Sequence, residues 1–273
     1  MAHSRGAGEV NDDRGRGIMS DPTAHRNVVV VGASAGGVEA LIGLVSAFPA
    51  SLPAAVFVVL HVPPAGSSVL PRVLGRYTPM PVAYAVHGEP VVPGRILVAP
   101  PDYQLLLDSH RVRLSKGPRE NRQRPAVDPL FRSAALAFGP RVIGVVLSGA
   151  LDDGTGGLLA IKVHGGLAIV QDPNEALFAG MPANALATGV VDHTLPVAGI
   201  GALIADRTSM APEGSSVLAG TGLSRSVTED EETEMAMIEG DPVALHRGER
   251  TGVSSGFSGP ECDGVLFERP DDL

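Results

Sequence analysis

Cysteine is nearly missing from this sequence. Cys262 stands alone among 273 residues, so no disulfide can form within the chain. Tryptophan is absent and aromatic residues make up 4%, which leaves Val, Leu, Ile and Ala to build any core. No apolar run reaches the roughly 18 residues that a membrane span needs. The first 26 residues lack the apolar central stretch of a secretion signal and read as a disordered leader. A cytoplasmic protein without direct membrane insertion is the expectation. Charge of one sign is also missing over most of the length. Residues 1–206 hold 16 Lys/Arg and 16 Asp/Glu, whereas residues 207–273 hold 5 and 14. The whole formal charge of −9 therefore comes from the last quarter, and the shift marks a boundary near Asp206. A neutral core with few aromatics excludes nucleic acid as the expected partner.

What the sequence does contain is alternation. Buried-strand runs near 27–32, 55–61, 95–99, 142–148 and 166–171 are separated by helical patterns near 36–48, 66–77, 127–138, 155–164 and 183–188. Short runs at 82–86, 104–107 and 111–114 suit extra strands or a hairpin. This order predicts an α/β fold: a doubly wound, mainly parallel sheet with helices on both faces. Strand C-terminal ends, and any active site, then share one edge. Periodicity fades after Ile204, and the "EDEETE" run lies in what reads as a flexible acidic tail over 207–273.

The first strand runs into a glycine-rich turn, "VVVVGASAGGVEAL" (28–41). A dinucleotide cradle fits it poorly. Its glycines are spaced Gly32-x-x-x-Gly36-Gly37 rather than G-x-G-x-x-G, and the second strand ends in His61 instead of a ribose-binding carboxylate. No triphosphate-binding loop is present either. Gly32-Ala33-Ser34-Ala35-Gly36 is instead a literal G-x-S-x-G between a strand and a helix, the form of a nucleophile elbow. Ser34 can equally be a helix N-cap. As a nucleophile it needs a base and an orienting carboxylate. His61 ends the neighbouring strand, and Asp152 or Asp153 follows the strand "VIGVVLSGALDDGTGG". The Ala35 amide, at the helix start, is a candidate oxyanion donor.

Six segments taken together resemble the catalytic domain of CheB-type protein-glutamate methylesterases. They are "VVGASAGGVEAL", "VLHVPP", "ILVAPPDYQLLL", "RPAVDPLFRSAA", "GVVLSGALDDGTGG" and "QDPNEALFAGMPANALATGVVDHTLP", in order across 27–206. The resemblance implies Ser34 as nucleophile, His61 as general base and acid, and Asp153, directly before Gly154, as the orienting carboxylate. It implies hydrolysis of glutamate methyl esters on a methylated receptor-like protein, deamidation of glutamines by the same route, and no cofactor. An esterase or amidase on another protein or small ester, and a silent interaction module of the same fold, are the competing readings.

Departures from the family pattern carry their own expectations. Familiar members place a phosphoreceiver domain, of about a hundred residues or more, ahead of the catalytic domain. Here 26 residues precede the first strand, so regulation through such a domain is not expected. Where the family often reads Gly-Met-Gly, this chain has Gly149-Ala150-Leu151; the backbone near Ala150 remains a candidate for the oxyanion site. The tail segment "SGFSGPECDGVLFE" resembles a Cys-Pro-x-Cys zinc-ribbon-like piece, but Gly259 stands at the first cysteine position, so a degenerate remnant without metal is expected. The stretch 111–124 carries Arg111, Arg113, Lys116, Arg119, Arg122 and Arg124 against Glu120. It reads as a solvated basic hairpin, or as a docking surface for an acidic helix through Arg119, Arg122 and Arg124.

Overall fold

The computed structural model describes residues 27–63, 69–209, 253–258 and 265–268, the last two segments as strands only. The expected leader, the Glu229–Glu234 run and Cys262 lie outside the described residues.

Seven strands form one all-parallel sheet. In chain order the elements are β1 (Val28–Ala33), α1 (Gly37–Ser46), β2 (Ala55–Leu60), α2 (Leu70–Leu74), β3 (Val82–Tyr84), β4 (Arg95–Val98), β5 (Gln104–Leu107), β6 (Val112–Ser115), α3 (Val127–Phe138), β7 (Val142–Val146), α4 (Thr155–Val163), β8 (Leu167–Gln171), α5 (Gly180–Ala187), β9 (His193–Leu195) and α6 (Val197–Ser209). The sheet order is β3-β4-β2-β1-β7-β8-β9, while β5 and β6 form a separate antiparallel hairpin. The central strand β1 is an unbroken apolar run because both its faces are covered. Val29, Val31 and Ala33 point into a core shared with α1, α2 and α6, whereas Val28 and Val30 point into a second core shared with α3, α4 and α5. The period-2 geometry of a strand makes that division unavoidable.

The chain reverses its direction of winding at β1. From β1 it proceeds outward through β2, and it returns to β7 on the other flank. Such a switch point opens a crevice at the strand C-termini, and Ser34 follows β1 at that place.

Within residues 27–209, β9 and α6 were not anticipated. Strand β9 is only three residues long, and α6 was hidden by Gly199 and Gly201. Gly201 in fact lets α6 press onto α1, since a Cβ there would lie 2.5 Å from Ala47 Cβ. Helix α6 ends at Ser209 with Thr208 buried, three residues beyond the expected boundary. Helix α2 is five residues long, much shorter than the 66–77 pattern. Within the stretch expected to be a flexible tail, β10 (Val253–Ser258) pairs antiparallel with β11 (Val265–Glu268).

Candidate active site

The turn after β1 is fixed by backbone hydrogen bonds before any chemistry is considered. Ser34 N donates to Ser148 O at 2.9 Å, and Gly37 N donates to Ser34 O at 2.9 Å. Ser148 Oγ donates to Ala35 O at 2.8 Å and accepts from Phe178 N at 2.9 Å, tying this turn to the loops after β7 and β8. Gly36 sits at φ 68°, where a Cβ would come within 2.8 Å of Leu177 Cβ and of Ser148 Oγ. Both the left-handed backbone and the close approach require glycine. The N-cap of α1 is Gly36, and no side chain caps the helix. The Ser34 hydroxyl is therefore not used as a helix cap.

It faces a histidine instead. His61 follows β2, and its amide continues the sheet by donating to Ala33 O at 3.1 Å. Its Nδ1 lies 3.1 Å from Ser34 Oγ and its Nε2 lies 2.6 Å from Asp153 Oδ2. An ionised carboxylate can only accept, so Nε2 carries the proton and Nδ1 is left to accept from the serine hydroxyl.

Asp153 is held from several sides. Its Oδ2 also accepts from Val127 N at 2.7 Å, and Oδ1 accepts from Asp128 N at 3.0 Å and Asn121 Nδ2 at 2.8 Å. Val127 and Asp128 open α3, so this carboxylate sits on a helix N-terminus, where free amides and the dipole favour negative charge. Burial opposes ionisation of Asp153. The His61 hydrogen bond and charge, the Val127 amide and Asn121 outweigh it and hold the pKa below its ordinary value.

A second buried acid stands behind the first. Asp128 Oδ1 accepts from Gly157 N at 2.6 Å, in the first turn of α4, and Oδ2 accepts from Asn121 Nδ2 at 3.1 Å. Burial, then the nearby Asp153 charge, push its pKa up to about 7. The Asn121 amide thus bridges two carboxyls of opposite character. Neither Asn121 nor Asp128 was singled out from sequence. Asp128 stood inside the apolar "PAVDPLF", the one available signal; Asn121 was lost within a basic run.

The remaining candidates fall as follows. Asp152 is exposed, and its carbonyl accepts from Thr155 N at 3.1 Å. Among the described residues the Ala35 and Ala150 amides have no hydrogen-bond partner. The Gly149 backbone packs on the nucleophile turn, where a Cβ would meet Ser34 Cβ at 2.9 Å. A cavity of about 180 Å³ beside His61 is lined by Val62, Pro63, Arg119, Gln123 and Arg124. Arg119 and Arg122 are exposed. Arg124 is committed to the fold: its Nε and Nη2 reach Asp102 Oδ1 at 3.1 and 2.7 Å, and Nη1 reaches Lys116 O and Gly117 O. Glu120, the acid in this basic stretch, pairs with Arg132. Among the described residues no cluster of three or more His, Cys, Asp or Glu could hold a metal.

The CheB methylesterase family model matches residues 29–204. The chain belongs to the CheB methylesterase family. A Methanosarcina mazei relative named protein-glutamate methylesterase/protein-glutamine glutaminase 2 is 36% identical over 68% of this chain and 53% of its own length. A Rhodospirillum rubrum relative of the same name is 38% identical over 66% of this chain and 53% of its own. The chain thus spans about half the length of the curated relatives it matches. Its fold is similar to the crystal structure of the Thermotoga maritima CheB methylesterase catalytic domain, at 32% identity and a TM-score of 0.65 over 67% of this chain and 99% of that one. In this CheB family member Leu151, in the loop after β7, adopts φ 65°, a backbone that glycine adopts without strain.

Proposed function

We propose that this chain is a serine hydrolase that removes methyl esters from glutamate side chains of a protein, and deamidates glutamines by the same route. The observation that carries this reading is the hydrogen-bonded line from Ser34 Oγ through His61 to Asp153, at the sheet's switch point, in a CheB family chain. Ser34 Oγ attacks the ester carbonyl while His61 Nδ1 takes its proton. The proton passes to the departing methoxide, releasing methanol, and water activated by His61 then frees the glutamate carboxylate. Asp153 stabilises the imidazolium formed in each step. The unpartnered Ala35 and Ala150 amides support a role as donors to the oxyanion. The substrate class is a methyl-accepting chemotaxis-type receptor, met in the cytoplasm, with Arg119 and Arg122 lying nearest its acidic side chains. Arg124 contributes by holding their loop against Asp102.

The test is methanol release from a methyl-esterified receptor fragment. Ser34→Ala, His61→Ala and Asp153→Asn should each lower the rate by about a thousandfold or more, and combining them should add little to the worst single change. A fluorophosphonate probe should label Ser34 in the unmodified chain. Full methanol release by Ser34→Ala would overturn the proposal.

A further inference from the structure

Leu177 and Leu151 are the two most exposed large hydrophobic side chains among the described residues, at 70% and 66%, and Phe178 is 47% exposed. All three belong to loops that pack on the nucleophile turn. Phe178 O accepts from Gly149 N at 2.9 Å, and a Cβ on Gly36 would touch Leu177. Asn184 Nδ2 donates to Leu151 O at 2.8 Å, fixing that residue in its left-handed backbone. A leucine kept exposed at a strained φ, beside two more exposed apolar side chains, is costly without an occupant.

The sheet order sets the geometry of that occupant. Along the C-terminal edge His61 follows β2, Ser34 follows β1, Leu151 follows β7, and Leu177 and Phe178 follow β8. Ser34 therefore has an apolar rim on its β7–β8 side. On its β2 side is His61, with exposed Arg119 lining the adjoining cavity. A chain lying across Ser34 meets apolar surface on one flank and positive charge on the other.

We infer that Leu151, Leu177 and Phe178 form a docking rim for an amphipathic helix of the substrate protein, with the esterified glutamate at the border between its apolar and acidic stripes. The inference rests on the methylesterase reading and names what that site recognises. On a helix, residues at i−4 and i+3 flank residue i on one side, while i−3 and i+4 flank it on the other. Leucines at the first pair would cover the rim, and acids at the second pair would face Arg119. An extended segment alternates its side chains between faces and does not sort them onto two flanks in this way.

Three peptides, each with one glutamate γ-methyl ester and acids at i−3 and i+4, test this with the full chain by methanol release. The first has Leu at i−4 and i+3, the second Ser at those positions, and the third Leu moved to i−2 and i+2. The first should show a KM at least tenfold below the other two at similar kcat. The Leu151→Ser/Leu177→Ser variant should treat the first and second peptides alike. That readout is a ratio within one enzyme, so partial loss of folded protein cancels. Equal kcat/KM for the first two peptides on the unmodified chain, or a preference retained by the variant, would overturn the rim. Preference for the third peptide would overturn the helical occupant. Absence of methanol from all three would overturn the methylesterase reading itself, and the rim with it.

Discussion

Asp153 and Asp128 are two buried carboxyls joined by one amide, and their surroundings push them apart. Asp153 has His61, Asn121 and two helix-terminal amides, which favour its charge. Asp128 has the Gly157 amide and Asn121, faces Asp153 and Glu120, and has Arg132 as its nearby cation. Two like charges at such a site do not both form readily, so the one with His61 and more hydrogen-bond donors around it takes the charge and the other keeps a proton. A carboxyl with its folded pKa raised to about 7 binds a proton in the folded chain that it loses in the unfolded chain. Its contribution to stability is then full below the ordinary value of 3.8 and is lost as pH rises through about 7. Asp153 runs the opposite way, supporting the fold above its ordinary pKa and losing that support as pH falls. Comparing urea unfolding of Asp128→Asn with the unmodified chain from pH 4 to pH 8 isolates the first group. The stability advantage of the unmodified chain should shrink steadily toward pH 8. A difference that stays constant with pH would show that Asp128 is ionised throughout.

At the scale of elements, the site depends on how closely α3 approaches β1. Gly32 in β1 faces Val127, and a Cβ there would come within 2.3 Å of Val127 Cγ1. Only a missing side chain lets the first turn of α3 come near enough for the Val127 and Asp128 amides to reach Asp153. The first glycine of the G-x-S-x-G motif therefore serves the carboxylate as well as the serine. Gly32→Ala should destabilise the chain by about 1–3 kcal/mol through overpacking, read as a lower urea midpoint. It should also reduce methanol release beyond the loss of folded protein, because α3 withdraws from Asp153. Unchanged activity per folded molecule would mean that the helix approach is structural only.

For the whole molecule, the two aliphatic cores close around the sheet, and among the described residues α6 is the last element in the chain that covers it. Ile200, Ile204 and Thr208 are buried, and Thr208 Oγ1 donates to Ile204 O at 2.8 Å. A fragment of residues 27–209 should therefore unfold in one cooperative thermal transition, within a few degrees of the full chain, and should retain ester hydrolysis. Ending it at Ile204 removes the buried Thr208 turn and should lower the midpoint clearly. A 27–209 fragment without a cooperative transition would show that residues beyond α6 complete the fold.

Alternating apolar runs and helical patterns determined the layered parallel sheet, because buried parallel strands must be apolar on both faces and crossovers must be helical. The same patterns delivered Ser34, His61 and Asp153 to strand ends on one edge, since that is where right-handed crossovers turn the chain. Sequence left Asp152 and Asp153 as equals until the family motif separated them. The fold shows the physical difference: one side chain is exposed and the other is buried against α3. Only tertiary structure revealed Asp128 and Asn121, because a hydrogen bond between residues distant in the chain leaves no periodic trace. It likewise turned part of a basic run into framework, with Arg124 and Glu120 finding partners that spacing could not predict. Helix α6 escaped notice because its Gly201 reads as a breaker in isolation and as a contact surface only once α1 lies against it. Local pattern thus determined which elements form and which edge carries the chemistry. The environment of each charge was decided by packing, because pKa and pairing depend on what neighbours in space rather than in sequence.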